Sequence, residues 1–464
     1  MKNFLRITYL IAFITVFSCK KERLITSSEA RLNISVDTLR FDTVFTSVGS
    51  ITQSFKIFNG NNQRLKLNKI KLMGGSSSFF KMNTDGIAGT EINNLEIAAN
   101  DSIYVFVTVT VDPNSNNLPF IVQDSILVAF NGNERLVQLE AYGQNARFIR
   151  SELIGNNTTW DSMLPYVILG GVQVDTNVTL TLQPGTRVYL HADAPLIVDG
   201  TLLVNGTKTD SVVFLGDRLD KEYRDLPASW PGIYFRGSSK DNVLKYAVIK
   251  NAFQGIVTDK PSVNTNPKAV LNECIIDNIY DAGIFALNSS IKATNCLISN
   301  CGTNILLVKG GNYEFTHCTV ASYSNNYILH KNPVLFVNNW DSINNQVFTY
   351  NLTALFRNNI FWGENGTTDD EVVVSKRGST TFDVILRNNL FKAKTTPPNT
   401  VLTDNISNQN PLFDSIDVVK RYYDFRIGLK ASPAVDKGLS LGVVNDLDNK
   451  PRDSKPDMGC YEKQ

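Results

Sequence analysis

The chain has 464 residues, 42% hydrophobic and 19% charged, which is ordinary globular composition with room for two or three domains. Its 45 basic and 44 acidic residues give a formal net charge of +1, which argues against a nucleic-acid partner. Asn is plentiful, whereas there are only five Met residues. This composition favours turn-rich β structure over packed helices.

Residues 1–18 have the layout of a secretion signal. Lys2 and Arg6 supply the charged region, an apolar run extends over residues 7–17, and Ser18 stands before Cys19. Because the run is too short to cross a bilayer and stop there, we interpret it as a cleaved signal peptide.

The sequence Val16-Phe17-Ser18-Cys19 resembles the lipobox of bacterial lipoproteins, in the looser form common in Bacteroidetes. The resemblance implies that a diacylglycerol is attached to the Cys19 thiol before the chain is cleaved in front of it. It also implies an outer membrane lipoprotein, on the periplasmic face or at the cell surface, with the membrane as a partner. The alternative is a plain secretion signal with an incidental cysteine.

Residues 19–30 are polar and predict a tether, and residues 31–146 predict a β-sandwich. Within the second range, alternating apolar runs such as 103–107 and 126–130 are separated by turn material such as Asn131-Gly132. Short strands at this spacing are typical of two packed antiparallel sheets.

Two stretches of the same range, 41–45 and 52–59, resemble the immunoglobulin-like modules near the N-terminus of many such lipoproteins. The resemblance implies a spacer or contact module. No catalysis is expected in it.

A six-residue phrase recurs within residues 160–430, and three of its copies have a cysteine in second place. Cys274, Cys296 and Cys318 follow one another at 22 residues (296 − 274 and 318 − 296). A period of this length without helical spacing predicts one turn of a parallel β-solenoid. Equivalent residues of successive turns would then stack about 4.8 Å apart.

Strand alternation divides each phrase into an inward and an outward set. The inward set contains the cysteines, a row of branched apolar residues, and a row of amides formed by Asn251, Asn278 and Asn300. We expect these side chains to form structural ladders inside the coil. The outward set, which includes Glu273, Asp277 and His317, is expected to face solvent.

This pattern, with Gly255-Ile256 and Gly283-Ile284 after the turns, resembles the right-handed parallel β-helix repeat proteins of the pectate-lyase-like superfamily. The resemblance covers residues 160–430. The expected fold class is therefore all-β, with an immunoglobulin-like β-sandwich followed by a right-handed parallel β-helix. The superfamily includes lyases, hydrolases, epimerases and proteins with no known activity, so the fold alone does not assign a function.

Residues 431–464 contain three phrases, 432–438, 446–452 and 457–462, that resemble the C-terminal signature of secreted bacterial β-helix proteins. We interpret their acids, together with Arg452, as a hydrogen-bonded cap segment. The alternative is that Asp446 and Asp448 hold calcium, the one cofactor that the sequence leaves open.

Glu273, Asp277 and His317 are the candidate catalytic residues. Cleavage of a sugar chain by paired carboxylates requires acids about 5 to 9.5 Å apart, whereas Glu273 and Asp277, four residues apart on one strand, are separated by about 13 Å. The outward row through Asp277 offers a single acid, while a calcium-dependent lyase would need acids stacked on neighbouring turns. These observations favour a protein without catalytic activity.

Our main hypothesis is a lipid-anchored envelope protein whose β-helix binds a polysaccharide or an envelope protein without turning it over. The alternative is a polysaccharide lyase or glycoside hydrolase acting on exogenous polysaccharide, an activity found in the superfamily. A structural adhesin or assembly component is the third hypothesis. The sequence does not name the glycan or the partner.

Overall fold

A computed structural model of the protein describes residues 23–46, 50–112 and 120–463. The expected signal peptide and Cys19 lie outside these residues. The chain forms two compact units, Met1–Asn145 and Ala146–Gln464, and each is described by itself. No helix in the described ranges is long and apolar enough to cross a membrane.

The described part of the first unit consists of strands and one short 3₁₀ helix, Gly75–Ser77. Its strands are β1 (Leu24–Ile25), β2 (Leu32–Ile34), β3 (Thr38–Phe45), β4 (Gln53–Asn59), β5 (Arg64–Leu72), β6 (Phe80–Thr84), β7 (Ile87–Ala88), β8 (Glu91–Ile97), β9 (Ser102–Val109), β10 (Phe120–Phe130) and β11 (Asn133–Gln144).

These strands form two sheets that share one apolar core. The first sheet has the order β1-β5-β10-β11-β3, with β8 beside β5, and the second has the order β2-β4-β9-β6-β7. Buried and more exposed residues alternate along β4 and β9, so one face of their sheet is turned inward. Leu67 and Val128 of the first sheet and Val105 of the second are fully buried in the shared core.

The segment expected as a tether is folded in part. Strand β1 pairs in parallel with the start of β5. The side chain of Asn131 donates to the carbonyl oxygens of Ile25 and Ser27 (both 3.0 Å), and that of Asn133 donates to the carbonyl of Ser28 (2.7 Å). The prediction of a free tether is therefore wrong for residues 24–28, because their backbone finds hydrogen-bond partners on the sandwich.

The described part of the second unit consists of thirty strands. They are β12 (Arg147–Ile154), β13 (Thr158–Trp160), β14 (Tyr166–Val174), β15 (Thr179–Leu182), β16 (Arg187–Leu190), β17 (Leu196–Val198), β18 (Thr201–Asn205), β19 (Val212–Gly216), β20 (Ile233–Phe235), β21 (Asn242–Lys245), β22 (Ala247–Lys250), β23 (Ile256–Asp259), β24 (Ala269–Asn272), β25 (Ile275–Asp277), β26 (Ala282–Thr294), β27 (Leu297–Ser299), β28 (Thr303–Thr316), β29 (Thr319–Tyr323), β30 (Leu335–Asn338), β31 (Trp340–Ile343), β32 (Gln346–Thr349), β33 (Leu352–Arg357), β34 (Ile360–Glu364), β35 (Val372–Ser375), β36 (Phe382–Arg387), β37 (Leu390–Phe391), β38 (Val401–Thr403), β39 (Ile406–Ser407), β40 (Ser415–Asp417) and β41 (Tyr422–Asp424).

Strands β12 to β30 and β33 to β39 form one continuous parallel coil with three sides. The first side stacks β16, β19, β22, β25, β27, β29, β34, β37 and β39. The second stacks β17, β20, β23, β26, β28, β30 and β35, and the third stacks β15, β18, β21, β24, β26, β28, β33, β36 and β38. The predicted fold class, an all-β chain with a parallel β-helix, is confirmed.

Cysteines occupy one inward row of the first side. Cys274, Cys296 and Cys318 stand directly before β25, β27 and β29, and all three are fully buried free thiols. Burial raises the pKa of Cys274 and Cys318 well above the ordinary value, so these thiols are small, neutral packing groups. Ile276 and Ile298 are paired in register on β25 and β27 and fill the next inward row.

The cysteine row continues as a ladder of amides in the later turns. Asn359 is fully buried, and its Nδ2 donates to the carbonyl of Phe315 (3.0 Å) and to Oδ1 of Asn389 (2.9 Å). Its own Oδ1 accepts the backbone N–H of Cys318 (2.8 Å). Each amide therefore joins neighbouring turns through groups that have no access to water.

The coil begins and ends earlier in the chain than the expected range of 160–430. Strand β12 already pairs with β14, and the last strand of the coil is β39. The polar residues 155–159, which obscure the start of the repeat in the sequence, form a turn and the beginning of β13. Residues 413–430 leave the coil and lie along its side, as described below.

We expect Asn359→Ala to lower the free energy of unfolding of the second unit by about 2 to 4 kcal/mol, because it leaves the Cys318 N–H and the Phe315 carbonyl without partners. Chemical denaturation measures the change. Asn156→Ala, at an exposed position of the same unit, is the control and should change stability by less than about 0.5 kcal/mol. Equal effects of the two variants would show that the ladder contributes nothing specific.

Candidate functional site

Residues 413–463, called the C-terminal segment from here on, lie along the first side of the coil. Apolar side chains of the segment pack against outward-facing residues of that side in one cluster. The segment contributes Phe413, Phe425, Ile427, Ala434, Leu447, Met458, Cys460 and Tyr461, and the coil contributes Tyr246, Leu297, Ala321, Tyr323, Ile360, Trp362 and Leu390. The segment thus covers a side of the coil over several turns.

The expectation that the outward set faces solvent is therefore wrong for much of this side. Both alternating positions of β27, β34 and β37 are apolar, as in the pairs Leu297-Ile298, Ile360-Phe361 and Leu390-Phe391. Apolar residues in both positions are typical of a strand that is buried on both faces. This signal was present in the sequence and identifies where the covering segment binds.

Arg452 connects the C-terminal segment to the coil. Its Nη1 pairs with Oε2 of Glu462 (2.8 Å), and its Nη2 donates to Oδ1 of Asn295 and to the carbonyl of Gly459 (both 2.9 Å). The side chains of Arg452 and Glu462 are almost completely buried. A buried guanidinium whose two Nη atoms are both engaged in this way holds structure in place.

The two calcium candidates are engaged by other protein groups. The carboxylate of Asp446 accepts the backbone N–H groups of Lys450 and Glu462 (both 2.8 Å). Asp448 pairs with Lys208 and with Nε of Arg426, the latter at 2.7 Å. Both carboxylate oxygens of Asp446 accept N–H groups, and both of those of Asp448 pair with cations. The two residues therefore do not offer calcium a set of free oxygen ligands. Among the described residues, no group of three or more His, Cys, Asp or Glu side chains is arranged to hold a metal ion.

His317 is fully buried between the first side of the coil and the C-terminal segment. Its Nε2 accepts a hydrogen bond from Nδ2 of Asn358 (2.8 Å), and Asn358 in turn exchanges hydrogen bonds with Leu439. Burial, together with the nearby Arg452, lowers the pKa of His317 to about 3. The expectation that His317 faces solvent is wrong, because the C-terminal segment covers this position.

The folded-state pKa of His317, about 3, lies about 3.5 units below the ordinary value of 6.5, so His317 is an acid-sensitive position. Stability is retained above pH 6.5 and should fall by about 1.4 kcal/mol per pH unit as the pH drops from 6.5 towards 3. Denaturation at pH 7.5 and pH 4.5 should show a smaller loss in His317→Gln than in the natural chain. Burial raises the pKa of Asp457 and Glu462, which act in the opposite sense and are common to both proteins.

Asn156→Ala, at an exposed position of the same unit, is the control, because it removes no titratable group and should leave the acid dependence unchanged. If His317→Gln loses as much stability on acidification as the natural chain, the histidine is not responsible.

Of the three catalytic candidates, Asp277 lines a pocket that is described below. It ends β25 at a corner of the coil, whereas Glu273 precedes that strand and contacts the side-chain amide of Asn295 (3.5 Å). Burial raises the pKa of Glu273. The structure does not gather the three candidates at one site.

We call the cavity at this corner the amide pocket, after Asn251, Asn278 and Asn300, the three of its four asparagines that belong to the predicted ladder. Its volume is about 150 Å³, and it is lined by Asp225, Lys250, Asn251, Asp277, Asn278, Asn300, Asn325, Lys420, Arg421 and Tyr423. Three parts of the chain meet here: the turns of the coil, the loop after β19, and the β40–β41 hairpin of the C-terminal segment.

The asparagines stand where the chain turns out of the first side. Asn251, Asn278 and Asn300 have φ angles of 64°, 58° and 51°, a left-handed conformation that Asn tolerates better than most residues. Asn278 donates to Oδ1 of Asn251 (2.7 Å), and Asn251 donates to the carbonyl of Arg224 (2.7 Å). Asn251 and Asn278 are thus joined as a ladder at the corner of the coil, whereas Asn300 on the next turn donates to Asp277 (3.3 Å).

Paired charges supply the electrostatics of the amide pocket. Lys250 lies 2.9 Å from Asp277, whose carboxylate raises the pKa of Lys250 and also accepts the hydroxyl of Ser299 (2.8 Å). Arg421 lies 3.4 Å from Asp225 and places its guanidinium 4.8 Å from the ring centre of Tyr327. The first pair joins neighbouring turns of the coil, and the second joins the loop after β19 to the hairpin, so both pairs hold their side chains in place.

This arrangement is suited to binding more than to proton transfer. Asp277 is engaged by Lys250 and Ser299, and the other acid in the lining, Asp225, is paired with Arg421. A carboxyl group works best as a general base or acid when its pKa lies near the pH of the reaction. An apolar setting is the usual means of raising the pKa to that range. Amides and paired ions instead present many fixed donors and acceptors, the usual equipment for recognising hydroxyl groups.

Sequence analysis missed the residues that the loops and the hairpin bring to the amide pocket. Asp225 and Arg421 are 196 residues apart in the chain and meet in space. Neither belongs to the repeat, and no spacing in the sequence relates them. Trp230, at the base of the loop after β19, is 1% exposed and donates from Nε1 to the carbonyl of Lys250 (2.9 Å).

Comparison with known proteins supports the coil. A family model described as a right-handed beta helix region matches residues 221–320. The comparison with curated proteins found no match.

Solved structures that the chain matches have low overall similarity. A family 123 glycoside hydrolase from Clostridium perfringens is 10% identical, with 26% of this chain and 30% of that chain covered and a TM-score of 0.19. PapD-like domain 7 of human CEP192 is 11% identical over 28% of this chain and 92% of that one, with a TM-score of 0.18. The alkylpurine DNA glycosylase AlkC of Pseudomonas fluorescens is 12% identical over 25% and 31%, with a TM-score of 0.17. The chain spans less than a third of the length of the glycoside hydrolase, and these scores support no inference about activity.

Proposed function

We propose that the protein is a lipid-anchored component of the bacterial cell envelope whose β-helix binds a polysaccharide without cleaving it. The amide pocket carries the proposal. Three ladder asparagines lie beside two ion pairs at one corner of the coil. A polysaccharide that lies on the surface of the coil reaches these groups.

Polysaccharide suits this lining better than an apolar ligand does. Hydroxyl groups are both donors and acceptors, so they pair with amides, carboxylates and guanidinium groups alike. Asn300 shows this use of fixed polar groups, since its Nδ2 donates to Asp277 (3.3 Å) and its Oδ1 accepts the N–H of Tyr323 (3.3 Å). The paired charges keep their geometry in the free protein, which reduces the entropy lost on binding.

We propose that the polysaccharide is not cleaved because both acids in the pocket, Asp277 and Asp225, are paired with basic side chains. A polysaccharide lyase or glycoside hydrolase would use Asp277 as a free base, nucleophile or acid, and its pairing with Lys250 opposes each of these roles. Hydrolytic or eliminative activity is therefore the competing proposal, and it is tested together with binding.

Arg421→Met should weaken binding by about tenfold or more while the second unit stays folded, because it removes a charged hydrogen-bond donor from the lining of the pocket. Affinity electrophoresis in gels containing xylan, galactomannan, alginate or polygalacturonate measures binding, and thermal unfolding monitors the fold. Arg387→Met, an exposed arginine at the end of β36, is the matched control. Equal retention of both variants with the polysaccharide that the natural chain binds would contradict the site.

The same polysaccharides, incubated with the natural chain and with Asp277→Asn, test for turnover by release of reducing ends or of unsaturated products. We expect neither protein to generate products. Cleavage by the natural chain that Asp277→Asn abolishes would replace the binding function with an enzymatic one.

The anchor is proposed from the sequence around Cys19, which lies outside the described residues. The acylated protein is expected in the outer membrane, since acyl chains add about 0.8 kcal/mol for each buried CH₂. In a bacterial host with lipoprotein processing, the natural chain should partition into the detergent phase of a Triton X-114 extract, whereas Cys19→Ser should stay in the aqueous phase. Detergent partitioning that does not depend on Cys19 would refute the anchor.

The sandwich is proposed as a spacer between the membrane and the β-helix. In support, Cys19 precedes its first strand by a few residues, and the pocket-bearing coil follows it. The immunoglobulin-like character inferred from the sequence is part of this proposal.

A further inference from the structure

Two aromatic side chains stack on neighbouring turns just beyond the amide pocket. Phe253 and Tyr280 have ring centres 5.7 Å apart and an angle of 25° between their planes. They are 42% and 52% exposed, respectively. Each follows a ladder asparagine, Asn251 or Asn278, by two residues, so its Cα atom lies at most about 7 Å from a residue that lines the pocket.

The next turn offers no side chain to continue this stack. The backbone N–H of Gly302 bonds to the carbonyl of Ile279 (3.0 Å), which places Gly302 over Tyr280 in the same row. A Cβ atom at Gly302 would lie 2.3 Å from the carbonyl oxygen of Tyr280, so only glycine fits there. Position 302 therefore contributes no side chain that would cover the Tyr280 ring.

Polar groups flank the rings. Gln254 donates to the carboxylate of Asp281 (2.8 Å), one residue beyond the aromatic pair on both turns. On the glycine side, the exposed Asn332 donates to the carbonyl of Gly302 (3.2 Å). An uncovered ring face bordered by amide and carboxylate groups is the combination that binds a sugar ring, because the apolar C–H face stacks while the hydroxyl groups find partners.

We infer that Tyr280, backed by Phe253, is a stacking subsite for a pyranose ring with one apolar face, and that a bound polysaccharide extends from the amide pocket across this corner. The inference rests on the proposed function and adds a ligand class to it: neutral pyranosides, recognised in part by dispersion contacts with an aromatic ring. A wholly structural stack would contribute to stability and leave affinity unchanged.

The test uses the full chain and two neutral probes, xylan oligosaccharides and mixed-linkage β-glucan oligosaccharides, with calorimetric titration at low and high salt. Tyr280→Ala should weaken binding of at least one probe by about five- to tenfold, the range expected for one lost ring contact. The loss should be the same at both salt concentrations, because stacking is not screened by ions. Tyr280→Phe should bind within about twofold of the natural chain, since it retains the ring.

Phe348→Ala removes another exposed aromatic side chain, on β32 of the same unit, and should leave affinity unchanged. Unchanged affinity of Tyr280→Ala, together with weaker binding by Arg421→Met, would overturn the subsite and leave the amide pocket in place. Binding of neither probe by the natural chain would overturn the subsite. If no polysaccharide of the wider panel binds either, the proposed function falls with it.

Discussion

The stacking of like residues on successive turns is the constraint on which the structure of the second unit depends. Each turn adds one strand to each side, and its backbone groups bond to the turns before and after it. Because side chains alternate, a slip of one residue would turn every inward side chain outward. The cysteine row, the isoleucine row beside it and the buried amides that follow Cys318 all oppose such a slip.

The first side differs from an ordinary coil surface because both of its faces are apolar over several turns. Its outward residues are covered by the C-terminal segment, and the segment carries the hairpin that completes the amide pocket. Packing and binding are thus linked: apolar contacts of the segment determine where Arg421 lies. The corner asparagines contribute a fixed polar surface because their left-handed backbone leaves their side chains at the edge of the coil.

The inward rows could be predicted from the sequence because a 22-residue period and strand alternation are local properties. The ladder asparagines were found by the same means, although their position at the corner was not. The burial of His317 was missed because it depends on a segment more than a hundred residues later in the chain. Asp225 and Arg421 belong to no repeat, so their meeting follows only from the path of the loops. The sequence signals of the cover were the doubly apolar strands and the C-terminal phrases around Arg452.

The C-terminal segment touches turns that lie far apart along the coil axis. It reaches Lys208 through Asp448, Asn295 through Arg452, and Asn388 through Lys437. Because these residues follow in the chain every turn that they cover, a coil synthesised up to that point exposes an apolar side to water until the C-terminal segment packs on it. Folding of the second unit is therefore ordered along the chain, with the coil formed before its cover.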